Sequence, residues 1–181
     1  RLDQVEKFVP NLTFQNNPSF GGASNSAAIY LRGVGQKEFL PTTEPGVGLY
    51  VDGVYIARSV GAVLDLIDIE RLEVLRGPQG TLYGRNTTGG AISVIMRKPG
   101  EEMSGYLEAG VGRWDRTMIR GSVDLPVNDR VLTKFSYYSV DDDGYLNNTV
   151  DGKTYNAVDS TGWRAAFRFL LTDTVTWDVS V

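Results

Sequence analysis

Cysteine and histidine are both absent from the 181 residues. Without thiols there is neither a disulfide framework nor a thiolate metal site. Without imidazoles there is no Ser-His-Asp triad, no His-based zinc site and no access to the commonest general base. The chain also lacks any Lys/Arg cluster, and 18 basic against 22 acidic residues leave a formal charge of -4. That balance argues against nucleic acid as a partner. Apolar runs such as "VIM" and "FLL" are far too short to cross a bilayer as a helix. The opening "RLDQVEKFVP" has neither the basic nor the apolar region of a secretory signal. Arg1 reads as lying inside a helix and Val181 inside a strand, so the expectation is a piece of a longer chain. These absences lower the expectation of catalysis: no enzyme, cofactor or resident metal is foreseen.

Glycine, by contrast, is plentiful, at 21 residues. Five glycines and a proline fall in the sixteen residues "LRGPQGTLYGRNTTGG" (75–90). A phosphate cradle would need a pattern such as GxxxxGK[ST] between a strand and a helix. The lysine is missing here, and a strand, "AISVIMR" (91–97), follows. The glycines Gly77, Gly80, Gly84, Gly89 and Gly90 are instead expected to supply positive φ or close backbone approach. Tyr83 reads as a packing residue with a hydrogen-bonded hydroxyl.

The first half reads as a small α+β domain. "RLDQVEKFV" suits a short helix with Leu2, Val5 and Val9 on one side, closed by Pro10. "AAIYLRG" (27–33) suits a strand ending at Gly33. "GLYVDGVYI" (48–56) is a hairpin signal, because Asp52-Gly53 accepts the two positive φ values of a type I′ turn. That register pairs Val51 with Val54 and Tyr50 with Tyr55. A short turn or helix near 62–68 leads to a strand over 70–76. The nearly continuous apolar run 91–97 suits a strand buried on both faces, with Pro99 and Gly100 closing the unit.

From Met103 the pattern changes to strict alternation. Leu107, Ala109 and Val111 oppose Tyr106 and Glu108. Thr117, Ile119, Val123 and Leu125 oppose Arg116, Arg120, Ser122 and Asp124. Val131, Phe135 and Tyr137 oppose Lys134, Ser136 and Tyr138. Trp163, Ala165, Phe167, Phe169 and Leu171 oppose Arg164 and Arg168, and Val175, Trp177, Val179 and Val181 oppose Thr176, Asp178 and Ser180. A soluble antiparallel sandwich alternates in the same way. The connections favour a membrane barrel: 126–129 and 172–173 are short and fall on one side, whereas the long polar 141–160 falls on the other. Trp114, Tyr137, Tyr138 and Trp163 lie near that second edge, as an interfacial girdle would. Five strands cannot close such a barrel.

"ERLEVLRGPQGTLYGRNTTGGAISVIMRKP" (70–99) resembles the plug-domain signature of TonB-dependent outer-membrane transporters. "VPNLTF", "AAIYLRGVG" and "PGVGLYVDGVYI" match other plug segments in the same order. The resemblance implies an α+β plug domain over 1–99, followed over 100–181 by about the first five antiparallel transmembrane β-barrel strands of a 22-stranded plugged barrel. It implies a monomer in the outer membrane of a Gram-negative bacterium, surrounded by lipid. Its function would be active import of a scarce nutrient, driven by the inner-membrane TonB complex through a TonB box that this sequence does not contain. A ferric siderophore is the commonest cargo; cobalamin, haem, a saccharide or an aromatic compound are alternatives. A passive porin-like channel and a soluble carbohydrate-binding β-sandwich are the competing classes.

Residue roles follow the same resemblance. Arg32 and Arg76 would face the barrel wall and pair with its carboxylates. Gly33, Asp52, Gly53, Gly77, Pro78, Gly80, Tyr83, Gly84, Gly89 and Gly90 would shape the plug. Phe20, Gln36, Lys37, Phe39, Arg58 and Ser59 fall in outward loops as candidates for substrate contact. Asp141, Asp142, Asp143 and Asp151 invite a calcium reading, but their spacing departs from the EF-hand pattern. "NLT", "NTT" and "NNT" match glycosylation sequons, a reading that fails for a bacterial outer-membrane protein.

Overall fold

The computed structural model describes residues 2–16, 27–36, 44–57 and 68–181. They fall into two compact units, Arg1–Met96 and Arg97–Val181.

The first unit opens with the expected short helix, which is a 3-10 helix over Leu2–Lys7. Val5 and Val9 pack against the core from it. Two small sheets follow. β1 (Leu12–Asn16), β2 (Ala27–Leu31) and β3 (Val34–Gly35) form an antiparallel set in that order. β4 (Val47–Val51), β5 (Val54–Tyr55), β6 (Ile69–Arg76) and β7 (Gly90–Met96) form a mixed sheet in the order β5-β4-β7-β6. Only the β4–β7 pairing is parallel. The hairpin expected over 48–56 is observed. Tyr50 stands opposite Tyr55 and Val51 opposite Val54, with Asp52 at φ 48° and Gly53 at φ 81°.

A second hairpin was not anticipated. The strand expected to end at Gly33 instead turns back at Arg32 (φ 55°) and Gly33 (φ 80°) and pairs as β3. Its tip geometry repeats that of Asp52-Gly53. The core is built where the two sheets meet: Leu31, Ile92 and Val94 are fully buried, with Phe14, Val47 and Leu49 beside them. Each such side chain contributes roughly 1.5–3 kcal/mol by leaving water.

The glycines of 75–90 have distinct reasons. Between β6 and β7 the chain makes one helical turn, α1 (Gly80–Tyr83), capped by Gly84 at φ 80°. Gly77 is at φ 93° and Gly90 at φ 148°. A Cβ on Gly90 would stand 2.2 Å from the Leu75 carbonyl oxygen and 2.5 Å from a Leu31 methyl. A Cβ on Gly89 would stand 2.9 Å from Val34. These absent carbons let the β2–β3 hairpin lie against the mixed sheet. Gly80 departs from the expectation: its φ is ordinary and nothing lies within 4 Å of its Cβ position.

The second unit holds β8 (Ser104–Val111), β9 (Thr117–Asp124), β10 (Val131–Asp142), β13 (Val158–Leu170) and β14 (Thr176–Ser180), with a two-stranded hairpin β11 (Leu146–Asn147) and β12 (Thr154–Tyr155) inside the long connection. The five longer strands form one antiparallel sheet in the order β14-β13-β10-β9-β8. This is a meander of sequential neighbours, left unclosed. The β11–β12 hairpin was read as plain loop. Among the described residues no helix is long and apolar enough to cross a membrane, which bears on helices alone.

Gly90→Ala should destabilise the full-length protein by about 2–4 kcal/mol, through backbone strain and overlap with Leu75 and Leu31. Gly80→Ala should be neutral within about 0.5 kcal/mol, since it meets nothing and sits in a helical turn. Paired denaturant-unfolding curves of the two variants measure the contrast.

Candidate functional site

The first site is the 75–90 segment and what it touches. Several of its backbone amides are bonded within the segment. The Gly77 N–H donates to the Gly89 carbonyl (3.0 Å), Gln79 to Thr87 (3.0 Å), Tyr83 to Gln79 (2.9 Å) and Gly84 to Gly80 (3.0 Å). A phosphate cradle needs amides turned toward a ligand. Here they close a tight crossing, and Gly89 donates onward to the Gly46 carbonyl at 2.8 Å.

Three tyrosines lock this crossing to the β4–β5 hairpin. Tyr50 donates its hydroxyl to the Tyr83 carbonyl oxygen at 2.6 Å. Its ring meets Tyr83 edge-on at 4.9 Å and Tyr55 at 5.3 Å. Asn86 donates its amide to the Tyr55 hydroxyl at 2.8 Å. Burial raises the Tyr50 pKa above its ordinary value, and the neighbouring tyrosines reinforce this. The phenol therefore stays a donor throughout the physiological range. Tyr83 contributes its ring and backbone carbonyl here, where a hydrogen-bonded hydroxyl was expected.

Arg32, at its hairpin tip, places a guanidinium nitrogen 3.9 Å from the Cβ position of Gly77. The structure thus brings Arg32 beside the turn that directly follows Arg76. Both arginines are exposed, and neither has a carboxylate partner among the described residues. Glu73, by contrast, pairs with Arg71 at 2.9 Å on its own strand. Asp52 accepts the Met96 N–H at 2.8 Å, so the hairpin turn also fixes the end of β7. Of the candidate substrate residues, only Gln36 is described, partly buried just after β3. Phe20, Lys37, Phe39, Arg58 and Ser59 lie outside the described residues, as does the 62–67 part of the expected turn.

The second site is the polar face of the five-stranded sheet. Cross-strand partners there are Glu108–Arg120 (2.7 Å), Ser122–Ser136 (3.0 Å) and Asp124–Lys134 (2.9 Å). Arg168 grips Asp178 through two nitrogens at 2.7 and 3.0 Å. The Lys134 side chain is 2 % exposed and that of Asp124 9 %. On the opposite face Leu107 is 79 % exposed, Trp163 66 % and Trp177 59 %. Leu107, Gly121, Tyr137 and Trp163 form one continuous row across four strands there. Burying an ion pair while leaving a row of large apolar groups outside inverts a water-soluble sheet. It matches a strand wall with lipid on one side and a polar lumen on the other.

At the end of the sheet bearing the long connection, Trp114 (φ 60°) and Asp115 (φ 53°) form the β8–β9 turn. Arg113 lies over the Trp114 ring at 5.3 Å, and Tyr145 meets it at 5.7 Å. Asp142 is held by Arg116 at 2.7 Å and accepts the Gly144 and Val158 amides. Among the described residues no three acidic side chains gather as a metal site would need.

Residues 1–91 match the TonB-dependent Receptor Plug Domain. The chain belongs to that family. The chain is 34% identical over 155 residues to the pesticin receptor of Yersinia pestis, a match covering 83% of this chain and 21% of that protein. It is 31% identical over 137 residues to the vitamin B12 transporter BtuB of Vibrio vulnificus, covering 73% and 21% respectively. The crystal structure of the ferric yersiniabactin uptake receptor FyuA from Yersinia pestis superimposes with a TM-score of 0.79 at 28% identity, over 92% of this chain and 26% of that one. The chain spans about a fifth of the length of these curated relatives. They are receptors and transporters, not enzymes. The TonB-dependent receptor fold, a plug followed by antiparallel strands, is thereby established for this chain.

Removing Asp124 alone should take a carboxylate partner from the buried Lys134, and Asp124→Ala should cost about 3–5 kcal/mol. Asp124→Ala with Lys134→Met should recover most of that loss. Thermal unfolding of the full-length receptor and its two variants reads the difference.

Proposed function

We propose that this chain is the plug and the first barrel strands of an outer-membrane transporter that imports a ferric siderophore with energy supplied by TonB. The observation that carries the reading is the inverted sheet, which follows directly on a plug-family domain. A porin needs no such domain, and a soluble sandwich would bury the Leu107–Trp163 row.

Within this reading the plug runs over 1–99 and the barrel begins at 100. Arg32 and Arg76 aim at barrel carboxylates beyond Val181. A guanidinium suits that place, because it keeps its charge and binds carboxylate in a planar fork. Gln36, with Phe20, Lys37, Phe39, Arg58 and Ser59, lies in loops that meet the substrate. The cargo assignment is supported by the relative named for ferric yersiniabactin uptake. A corrinoid is the second reading, favoured by the likeness to a vitamin B12 transporter.

A strain deleted for the full-length gene should lose uptake of the cognate iron chelate, and the restored gene should return it. Removing TonB, or collapsing the proton gradient, should abolish that uptake. Uptake that persists under both treatments overturns the reading. Leu107→Arg, on the lipid side near mid-strand, should cost about 2–4 kcal/mol of folding into phosphatidylcholine vesicles. Glu108→Gln, one residue along on the lumen side, should change it far less, and band-shift gels of refolded protein measure both.

A further inference from the structure

The stretch joining the two units has the composition of a linker, with Pro99, Gly100, Glu101 and Glu102 in sequence. Its hydrogen bonding is that of a fastened strap. The Gly100 N–H donates to Asp124 Oδ1 at 2.8 Å, and the Ser104 hydroxyl donates to Asp124 Oδ2 at 3.2 Å. Lys134 reaches the same Oδ2 at 2.9 Å. Asp124 thereby holds the strap with a carboxylate that is itself buried and paired. Lys98 stands 3.0 Å from Asp178 Oδ2, an oxygen that Arg168 also reaches. Arg164 reaches the Arg97 carbonyl at 3.5 Å, a long contact that adds direction more than strength. Pro99 fixes its own φ. On the far side the chain is equally constrained, because the Met96 N–H is bound by Asp52 and the Asp52 N–H by the Val94 carbonyl at 2.9 Å. The Met96–Arg97 junction lies between these two sets of fixings.

We propose that residues 97–104 are a fixed anchor on the barrel wall, with Asp124 as its fastening point, so that rearrangement of the plug pivots at Met96–Arg97 and leaves the strap in place. A slack linker would let the plug move off with residues 97–104 trailing. A fastened one confines movement to the part of the chain before Arg97, unless the Asp124 and Asp178 contacts break. The two acidic groups act together: Asp124 is shielded and strong, whereas the exposed Lys98–Asp178 pair is screened and adds little. The anchoring itself is independent of cargo. Its mechanical consequence rests on the transport reading above.

Two measurements on the full-length receptor test it. In lipid nanodiscs, hydrogen–deuterium exchange of the Gly100 amide should be about a hundredfold or more slower than in unstructured chain. Asp124→Ala with Lys134→Met, which removes both charges and strands neither, should abolish that protection while residues 131–142 stay slow. Equal exchange of the Gly100 amide in the two proteins overturns the anchor. In cells, Lys98→Cys with Asp178→Cys, bridged by a reducible dithiol reagent, should take up ligand within about twofold of the reduced form. A loss of about tenfold or more on bridging, restored by reduction, overturns the pivot. If neither form takes up ligand while energised, the transport reading has failed, and the exchange result still decides the anchor.

Discussion

A sheet can leave leucine, phenylalanine and tryptophan exposed on one face, and bury lysine with aspartate on the other, only if the two faces meet different solvents. That constraint governs the second unit. In water, the row through Leu107, Tyr137 and Trp163 would turn inward, and Lys134 would turn out. With hydrocarbon on one side, the same period-two alternation satisfies both faces, and each strand must then pair its backbone with a neighbour. The antiparallel meander is what such a rule produces from a continuous chain. The β9–β10 and β13–β14 turns fall at one end, and the β8–β9 turn and the long, aromatic-lined connection at the other.

The first unit solves a different problem, which is to pack tightly without a large core. Its devices are missing atoms. Gly89 and Gly90 have no Cβ where Val34, Leu31 and the Leu75 carbonyl approach, so a hairpin and a sheet come closer than any other residue would allow. The Tyr50 hydroxyl then ties the Tyr83 carbonyl, and Asp52 ties Met96. These contacts join segments that are distant in sequence, so the crossing at 75–90 is held from several sides. A domain built in this way resists loosening at one point but separates in order when its ties are removed in order.

The sequence made much of this legible, for identifiable reasons. Strand positions in the second half follow from alternation, and Asp52-Gly53 announces its turn because aspartate and glycine both accept positive φ. The β2–β3 hairpin was missed because its first turn residue is Arg32, which rarely adopts that conformation. The β11–β12 hairpin escaped because two-residue strands carry no period. Gly80 was grouped with its neighbours on composition alone, although only a three-dimensional contact separates a required glycine from a permitted one. The Asp124–Lys134 pair could be named only after register was known, since the two residues are brought together by strand pairing and not by spacing.

The family likeness, in turn, does not exhaust the residues. It accounts for the plug and for the direction of the barrel strands, but it is silent on which contacts hold while others release. Depth of burial ranks them. An exposed pair such as Glu108–Arg120 is screened and contributes little. A shielded carboxylate that serves two side chains and a backbone amide at once must lose all three together, and unfastening it exposes a buried ammonium as well. Asp124 is such a group. Under the anchoring proposed above, resistance to movement along this chain rises at residue 97, where glycine-built closeness gives way to charge held out of water.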